Sequence, residues 1–318
     1  MSILVTGGAG YIGSHMVYEL ADAGERVVVL DNLSTGFDWA VGKDVPLTIG
    51  DTGDQNLVGE AIREYKIESI IHFAASIVVP DSVADPLGYY KNKTANSRAL
   101  IETAIRHGVR HFIFSSTAAV YGNPTQVPII EETLAAPISP YGWSKLMTGI
   151  ILRDAATAHD LRYCILRYFN VAAPIPSAAP GSRQEAALGL RPKLDIYGTD
   201  YSTPDGTCIR DYIHVSDLVR AHSDALHYLR AGSASVTLNC GYGHGFSVRE
   251  VIEMVKRVSG VDFKVEIASR RPGDPAQIIA ACDRVRTILG WTPQYDDLAT
   301  CRLCLAGENH SDRGGDTS

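Results

Sequence analysis

The stretch Ile3-Leu4-Val5-Thr6-Gly7-Gly8-Ala9-Gly10-Tyr11-Ile12-Gly13-Ser14-His15 decides how the rest of the chain reads. An apolar run, a glycine-rich turn and a patterned segment to Ala23 predict strand, loop and helix, and Val27-Val28-Val29-Leu30 predicts the next buried strand. Gly8, Gly10 and Gly13 satisfy G-x-G-x-x-G, and Gly7, Gly10 and Gly13 form an overlapping triplet. A turn without side chains lets backbone N–H groups and the positive end of a helix meet a pyrophosphate. Gly13 lets that helix lie close against the strand. Asp31 follows about 20 residues later at the end of the second strand, where a carboxylate accepts hydrogen bonds from a ribose and repels a 2′-phosphate. The unit is expected to bind NAD rather than NADP.

Working outward, the same rhythm continues. Strands are predicted at Val45 to Ile49, Ser69 to Phe73, His111 to Ser115 and Tyr163 to Arg167. Helices are predicted from Gln55 to Tyr65, Thr94 to His107 and Tyr141 to Ala158. Apolar strands alternating with helices imply a Rossmann-type doubly wound α/β fold, a parallel sheet covered on both faces. After Asn170 the texture changes to an alanine-, proline- and serine-rich stretch without period, which places a domain boundary there. Residues 1–170 are expected to be the NAD-binding domain and 171–307 mainly a smaller mixed α/β substrate domain. That second part is expected to hold strands Leu194 to Tyr197, Val236 to Asn239 and Phe263 to Ile267, and a helix from Ser247 to Val258. A helix over 216–230 is expected to return to the first domain. The polar, glycine-rich residues 308–318 read as a disordered tail.

Bulk properties exclude several classes. With 318 residues, 45% of them hydrophobic, the chain can bury a sizeable core. Its formal charge of −7 is spread along the chain and supplies no basic stripe for a phosphate backbone, so nucleic acid is not an expected partner. No apolar run approaches the ~20 residues that span a bilayer, and the N-terminus carries no signal-peptide pattern. A membrane is not expected and a cytoplasmic location is. Cys164, Cys208, Cys240 and Cys282 stand singly in apolar or mixed segments, as reduced cysteines do, and the Cys301-x-x-Cys304 pair has no partner set for a metal.

Tyr141 and Lys145 form a Tyr-x-x-x-Lys pair at the start of a predicted helix, one turn apart on one face. A tyrosine near pKa ~10 is a poor base at neutral pH, but a neighbouring ammonium and a positive nicotinamide favour its phenolate. Phe112-Ile113-Phe114-Ser115-Ser116-Thr117 is a buried strand ending in hydroxyls at the sheet's carboxyl edge, where ligands bind. Thr117 is placed to bridge a substrate hydroxyl to Tyr141. Asp51, at the end of the third strand, reads either as an adenine contact or as a turn cap.

These motifs together carry a family resemblance. The glycine fingerprint, Asp31-Asn32-Leu33, His72-Phe73-Ala74-Ala75, Phe114 to Gly122, Tyr141 with Lys145, Leu166 to Asn170 and Arg210-Asp211-Tyr212-Ile213-His214-Val215 occur in the order and spacing of UDP-glucose 4-epimerases, within the extended short-chain dehydrogenase family. The resemblance implies NAD as cofactor, a UDP-sugar as substrate and a homodimer. It makes Tyr141 the base, Thr117 its hydroxyl partner and Lys145 the ligand of the nicotinamide ribose. It assigns Gly7, Gly10, Tyr11, Ile12, Gly13, Asp31, Asn32, Ser34, Asp51, Phe73, Ala74, Ala75, Asn92, Tyr168 and Phe169 to the cofactor. Asn170, Tyr197, Arg210, Tyr212, Arg271, Asp274 and Ile278 are assigned to the UDP-sugar. A diphosphate suits guanidinium forks such as Arg210 and Arg271, and a uridine ribose suits an acceptor such as Asp274.

The implied activity interconverts UDP-glucose and UDP-galactose. Tyr141 removes the proton from the carbon-4 hydroxyl while hydride passes to NAD, and the transient ketone turns before the hydride returns. Related sugar dehydratases place acids just after the threonine, whereas this chain has Ala118-Ala119, which cannot donate a proton. The medium-sized Ile278 favours plain hexoses over N-acetylhexosamines. Two departures from the family pattern, a shortened stretch between Asn170 and Arg191 and an altered segment after Thr300, leave a second reading: a protein that folds and holds NAD but turns over no UDP-sugar. Ile77 stands where some relatives have a lysine. A UDP-pentose is a third possibility for the substrate.

Overall fold

All five residues of β1 (Ser2–Thr6) are buried, and the residues of this strand divide its neighbourhood into two cores. Ile3 and Val5 point to one face of the sheet, where they meet Met16, Val17 and Leu20 of α1 (Tyr11–Asp22). Leu4 points to the other, with Val28 and Leu30 of the equally buried β2 (Val27–Asp31). This two-residue alternation is what a strand covered on both faces requires. The chain runs on through β3 (Leu47–Ile49), α2 (Gln55–Tyr65), β4 (Ile67–His72), α3 (Val79–Ala84) and the short α4 (Pro86–Tyr89). A π-helical turn over Tyr90–Ala95 then leads into α5 (Asn96–Arg106), β5 (His111–Thr117), α6 (Pro140–Ala158) and β6 (Arg162–Tyr168).

The computed structural model describes residues 2–76, 79–172, 193–271 and 274–296. Ile77, the stretch after Ala172, Pro272-Gly273, and the C-terminal segment with Cys301 and Cys304 lie outside them.

Beyond β6 come β7 (Asn170–Ala172), β8 (Lys193–Tyr197), β9 (Ile209–Arg210), β10 (Tyr212–His214), α7 (Val215–Arg230) and β11 (Val236–Cys240). They are followed by β12 (Phe246–Ser247), α8 (Val248–Ser259), β13 (Lys264–Ala268), β14 (Gln277–Ile278) and α9 (Asp283–Leu289). The main sheet has seven parallel strands in the order β11-β6-β5-β4-β1-β2-β3. Its strand order reverses direction between β1 and β4, and a crevice for ligands opens outside the carboxyl ends at such a point. Thr6, Leu30, His72 and Thr117 stand at or beside that edge.

Helix α7 packs beside α1 and against β5 and β6, burying Leu218, Ala221, Ala225 and Leu229 under the main sheet. β11, expected in the smaller domain, is instead the edge of the main sheet, paired with β6 from Val236↔Cys164 to Cys240↔Tyr168. Leu238 and Cys240 bury with Cys164 and Leu166, a partnership that the five residues of β11 cannot disclose by their own pattern. The stretch 79–95, left unassigned by periodicity, is helical up to α5. β3 begins at Leu47 rather than Val45.

The smaller part holds the β8–β13 pair, whose Leu194 and Ile196 pack with Ile252, Val255 and Phe263. α8 starts in a capping box in which Glu250 N donates to Ser247 Oγ and Ser247 N donates to Glu250, and it stops at Gly260 in the left-handed region. Two further small sheets have the orders β12-β9-β14 and β10-β7. No helix among the described residues is long and apolar enough to cross a membrane.

Candidate active site

The glycine turn is built so that backbone alone forms its inner wall. Gly7 has φ +73°, and a Cβ there would stand 2.6 Å from Ala74 N. A Cβ on Gly13 would run into the carbonyl oxygen of Gly7, so α1 can approach β1 only with glycine at this position. Gly10 is the N-cap of α1 without any side-chain cap, and no acidic residue stands in the helix's first turn. The first turn, containing Tyr11 and Ile12, therefore presents uncapped N–H groups and a positive helix end. Asp31 locks the turn to the second strand: its Oδ2 accepts from Ala9 N at 2.9 Å and its Oδ1 from Leu33 N at 2.8 Å. A carboxylate has about four acceptor positions, so two remain for a ribose diol. The cradle fits NAD.

The other expected cofactor residues line the same edge. Phe73 N and Ala74 N both donate to Thr6 O, which folds the chain at Ala74-Ala75 back over the glycine turn. Asn92 Oδ1 accepts from Ser76 N at 3.1 Å and Ser76 Oγ at 3.2 Å, bracing that segment. Tyr168 shares a 2.7 Å hydrogen bond with Ser115, and Phe169 is buried beside it. Asn32 accepts from Ser34 N at 3.0 Å. Asp51 caps its own turn through Gly53 N at 2.8 Å and also accepts from Asn96 at 2.6 Å and Asn32 at 3.4 Å, which ties the end of β3 to β2 and α5. His72, despite its place in a ligand motif, is a buried brace between Thr6 and Ser97 at 2.7 Å each. Burial, and then the Lys145 charge, push it down to about 3, so it is neutral.

Ser139 caps α6 by accepting from Gly142 N, and Pro140 in the first turn presets the helical φ. The next turns carry Tyr141 and Lys145 inward, both buried. Thr117 ends β5 and accepts from Ala119 N at 3.2 Å, which turns its hydroxyl toward Tyr141. Burial raises the Tyr141 phenol above its ordinary range, opposed by a hydrogen bond from Thr117. Lys145 donates to Ser115 O at 2.8 Å, and burial lowers it to about 7. The ammonium is expected to draw the tyrosine down, but burial is the largest influence on both groups, and the group that lowers Tyr141 is Thr117. A bound, positive nicotinamide would favour the phenolate.

Among the residues expected to hold the sugar nucleotide, β9 and β14 pair Arg210 with Ile278 in register, and Arg210 lies 3.9 Å from Asp274. Ile278 is buried. The Arg271 guanidinium stacks 3.7 Å from the Tyr197 ring. Asn170 and Tyr212 face each other across β7 and β10. Of the expected substrate residues, Asn170, Tyr197, Arg210, Tyr212 and Ile278 stand on strands of the small sheets, and Arg271 and Asp274 lie between β13 and β14.

Three residues with no assigned role emerge. Asp211, fully buried, accepts from Tyr242 N, Gly243 N and Ala280 N. Asp217, also fully buried, gathers Tyr242 Oη, Arg220, Gln294 N and Tyr295 N. Lys93 lies buried over the Tyr141 ring. Asp211 belongs to the Arg210–Val215 motif and Asp217 to the start of the expected 216–230 helix, and neither pattern gives a clue that the acid is buried.

The model of the NAD dependent epimerase/dehydratase family matches residues 3–241. The chain belongs to that family. Within it, the chain is 52% identical over 307 residues to a UDP-glucose 4-epimerase of Azospirillum brasilense, covering 93% of this chain and 88% of the relative. It is 45% identical to a UDP-glucose 4-epimerase of Lacticaseibacillus casei, covering 94% of this chain and 93% of the relative. The structure of UDP-glucose 4-epimerase from Brucella ovis in complex with NAD superposes with a TM-score of 0.92 at 40% identity, covering 96% and 97% of the two chains.

Proposed function

We propose that this epimerase-family chain interconverts UDP-glucose and UDP-galactose by inversion at carbon 4, with Tyr141 as base, Thr117 as its hydroxyl partner and Lys145 as the ligand of the nicotinamide ribose. One observation carries the reading. A buried tyrosine hydrogen-bonded to a strand-end threonine stands at the ligand edge of the sheet, and the next residues are the alanines Ala118 and Ala119. The site therefore has a group that can take and return one hydroxyl proton and, after the threonine, no acid to expel water.

NAD, when bound, supplies a reversible acceptor for the carbon-4 hydrogen. The Gly7–Gly13 turn and Asp31 would hold its adenosine diphosphate half, and Asn92, Phe73, Ala74, Tyr168 and Phe169 would line the rest of its site. Tyr141 as phenolate takes the proton of the carbon-4 hydroxyl, with Thr117 hydrogen-bonded beside it, and returns it to the same oxygen once the sugar has presented its other face. Arg210 and Arg271 clamp the diphosphate, Asp274 takes the uridine ribose, and Asn170, Tyr197, Tyr212 and Ile278 complete the enclosure. Because the grip is on the nucleotide, the hexose is free to turn over.

Residues 1–170 supply the cofactor site and 171–307 mainly the sugar nucleotide site, and the protein works in the cytoplasm as a homodimer. The test is a coupled assay for interconversion of UDP-galactose and UDP-glucose on purified protein, with UDP-arabinose and UDP-N-acetylglucosamine as comparison substrates. Sedimentation in the same buffer tests the dimer. Retained NAD with no interconversion of any UDP-sugar would overturn the assignment while sparing the fold.

A further inference from the structure

Lys93 is a lysine with no ordinary reason to be where it is. It stands on the π-helical turn Tyr90–Ala95, with only 1% of its surface exposed, and Nζ has no hydrogen-bond acceptor among the described residues. A buried ammonium is normally paired with a carboxylate or with several carbonyls. Here Nζ lies 3.6 Å from the centroid of the Tyr141 ring and 4.9 Å from that of Tyr89. A π turn inserts one extra residue into the helical ladder and re-aims the side chains that follow, and such turns concentrate at functional sites.

The groups around it can be named element by element. α4 offers Tyr89, and α6 offers Tyr141 and Lys145. The charges of α5, Arg98, Glu102 and Arg106, are exposed and paired with one another. No carboxylate therefore faces the amine from these elements. Burial and the Lys145 charge push Lys93 down to about 5, so it is an uncharged amine while Tyr141 is a phenol.

Ionising Tyr141 changes this. The phenolate spreads negative charge into the ring whose face the amine touches. Two unit charges about 4 Å apart, at the effective dielectric of about 20 that suits such sites, shift a proton equilibrium by about a thousandfold. Linkage makes the effect mutual: whatever Tyr141 ionisation does for Lys93 protonation, Lys93 protonation does for Tyr141 ionisation.

We propose that Lys93 is a positioning residue for Tyr141, holding its ring by the face and gaining a proton as the phenol loses one. The Tyr141 O–H bond breaks with its electron pair left on oxygen, and the Lys93 lone pair forms a new N–H bond. The pair's proton count does not change, so generation of the base needs no net loss of a proton to solvent. This deepens the assignment of Tyr141 as base and rests on it.

The test uses the NAD-loaded enzyme and the Lys93→Met variant, with Lys93→Gln as the substitute should the methionine variant not fold. Two readouts are taken over roughly pH 7 to 9: kcat/KM for UDP-galactose, and the ultraviolet absorbance of tyrosinate corrected with Tyr141→Phe. Wild type is expected to be nearly flat in kcat/KM, because base formation conserves protons. The variant is expected to rise about tenfold per pH unit in both readouts, whereas the tyrosinate absorbance of wild type stays level with its kcat/KM. Parallel profiles of the two proteins in both readouts, including an equal loss of rate at every pH, would overturn the proposal and leave Lys93 as packing. Absence of turnover in both proteins with tyrosinate profiles that still differ in slope would sink the epimerase assignment and support this one.

Discussion

Asp211→Asn is the substitution whose effect can be worked most fully from the geometry. Asp211 links β9 to β10, the strands that carry the proposed sugar residues Arg210 and Tyr212, while its carboxylate reaches Tyr242 N at 2.9 Å, Gly243 N at 3.0 Å and Ala280 N at 3.2 Å. Those three donors sit on two other segments, one following β11 and one following β14. An asparagine keeps one oxygen, best placed on Gly243 and Ala280, and turns an NH2 toward Tyr242 N, which is already a donor. One charge-assisted bond, of about 1.5–3 kcal/mol, is lost and two are weakened to neutral strength. Replacing a carboxylate whose pKa burial has raised returns part of that, which leaves a net loss of about 2 kcal/mol. Urea unfolding should read this as a lower midpoint at unchanged slope. Steady-state kinetics should show KM for UDP-galactose rising more than kcat falls, because Arg210, Tyr212 and Ile278 share the strands that the carboxylate ties together. A variant within about 0.5 kcal/mol of wild type and with unchanged KM would refute the idea that this carboxylate organises the sugar side.

Other substitutions test the remaining parts. Tyr141→Phe should lower kcat by about 10²–10⁴-fold while the purified protein still carries NAD, measured by cofactor release on denaturation. Asp31→Asn should weaken NAD binding by about tenfold and narrow its preference over NADP, measured by titration of cofactor-stripped protein. Lys93→Met should stabilise the cofactor-free protein. The lysine sits at about 5 folded against 10.5 unfolded, so between those values the unfolded chain binds the extra proton, and native stability contributed by this group falls as pH falls. At pH 8 the penalty is about 3 kcal/mol, and the variant's advantage in urea should shrink as pH approaches 10.

The legible parts of this protein were those encoded by short, fixed spacings. Three glycines, an acid one strand later, and a tyrosine and lysine four apart announce themselves because a turn, a strand end and a helix face each impose a local spacing. Thr117 was legible for the same reason, as the hydroxyl that ends an apolar strand. Lys93 was not: Lys91 and Lys93 stand two apart on either side of Asn92 with nothing to tell them apart, and the π turn over Tyr90–Ala95 carries Lys93 inside. Asp211 and Asp217 were illegible in the same way, since burial of an acid depends on backbone donors supplied from distant segments. β11 was misplaced because five apolar-leaning residues do not say which sheet edge they join; the match of Leu238 and Cys240 with β6 is a tertiary fact.

The central claim is that one hydroxyl proton passes through Tyr141 while the carbon-4 hydrogen leaves the sugar and returns to it from the other side. UDP-galactose carrying deuterium at carbon 4 tests this most directly, with the product analysed by mass spectrometry after turnover in ordinary water. The account predicts UDP-glucose that retains its deuterium. Product that has exchanged the label with solvent, or no UDP-glucose from protein that retains NAD, would contradict it.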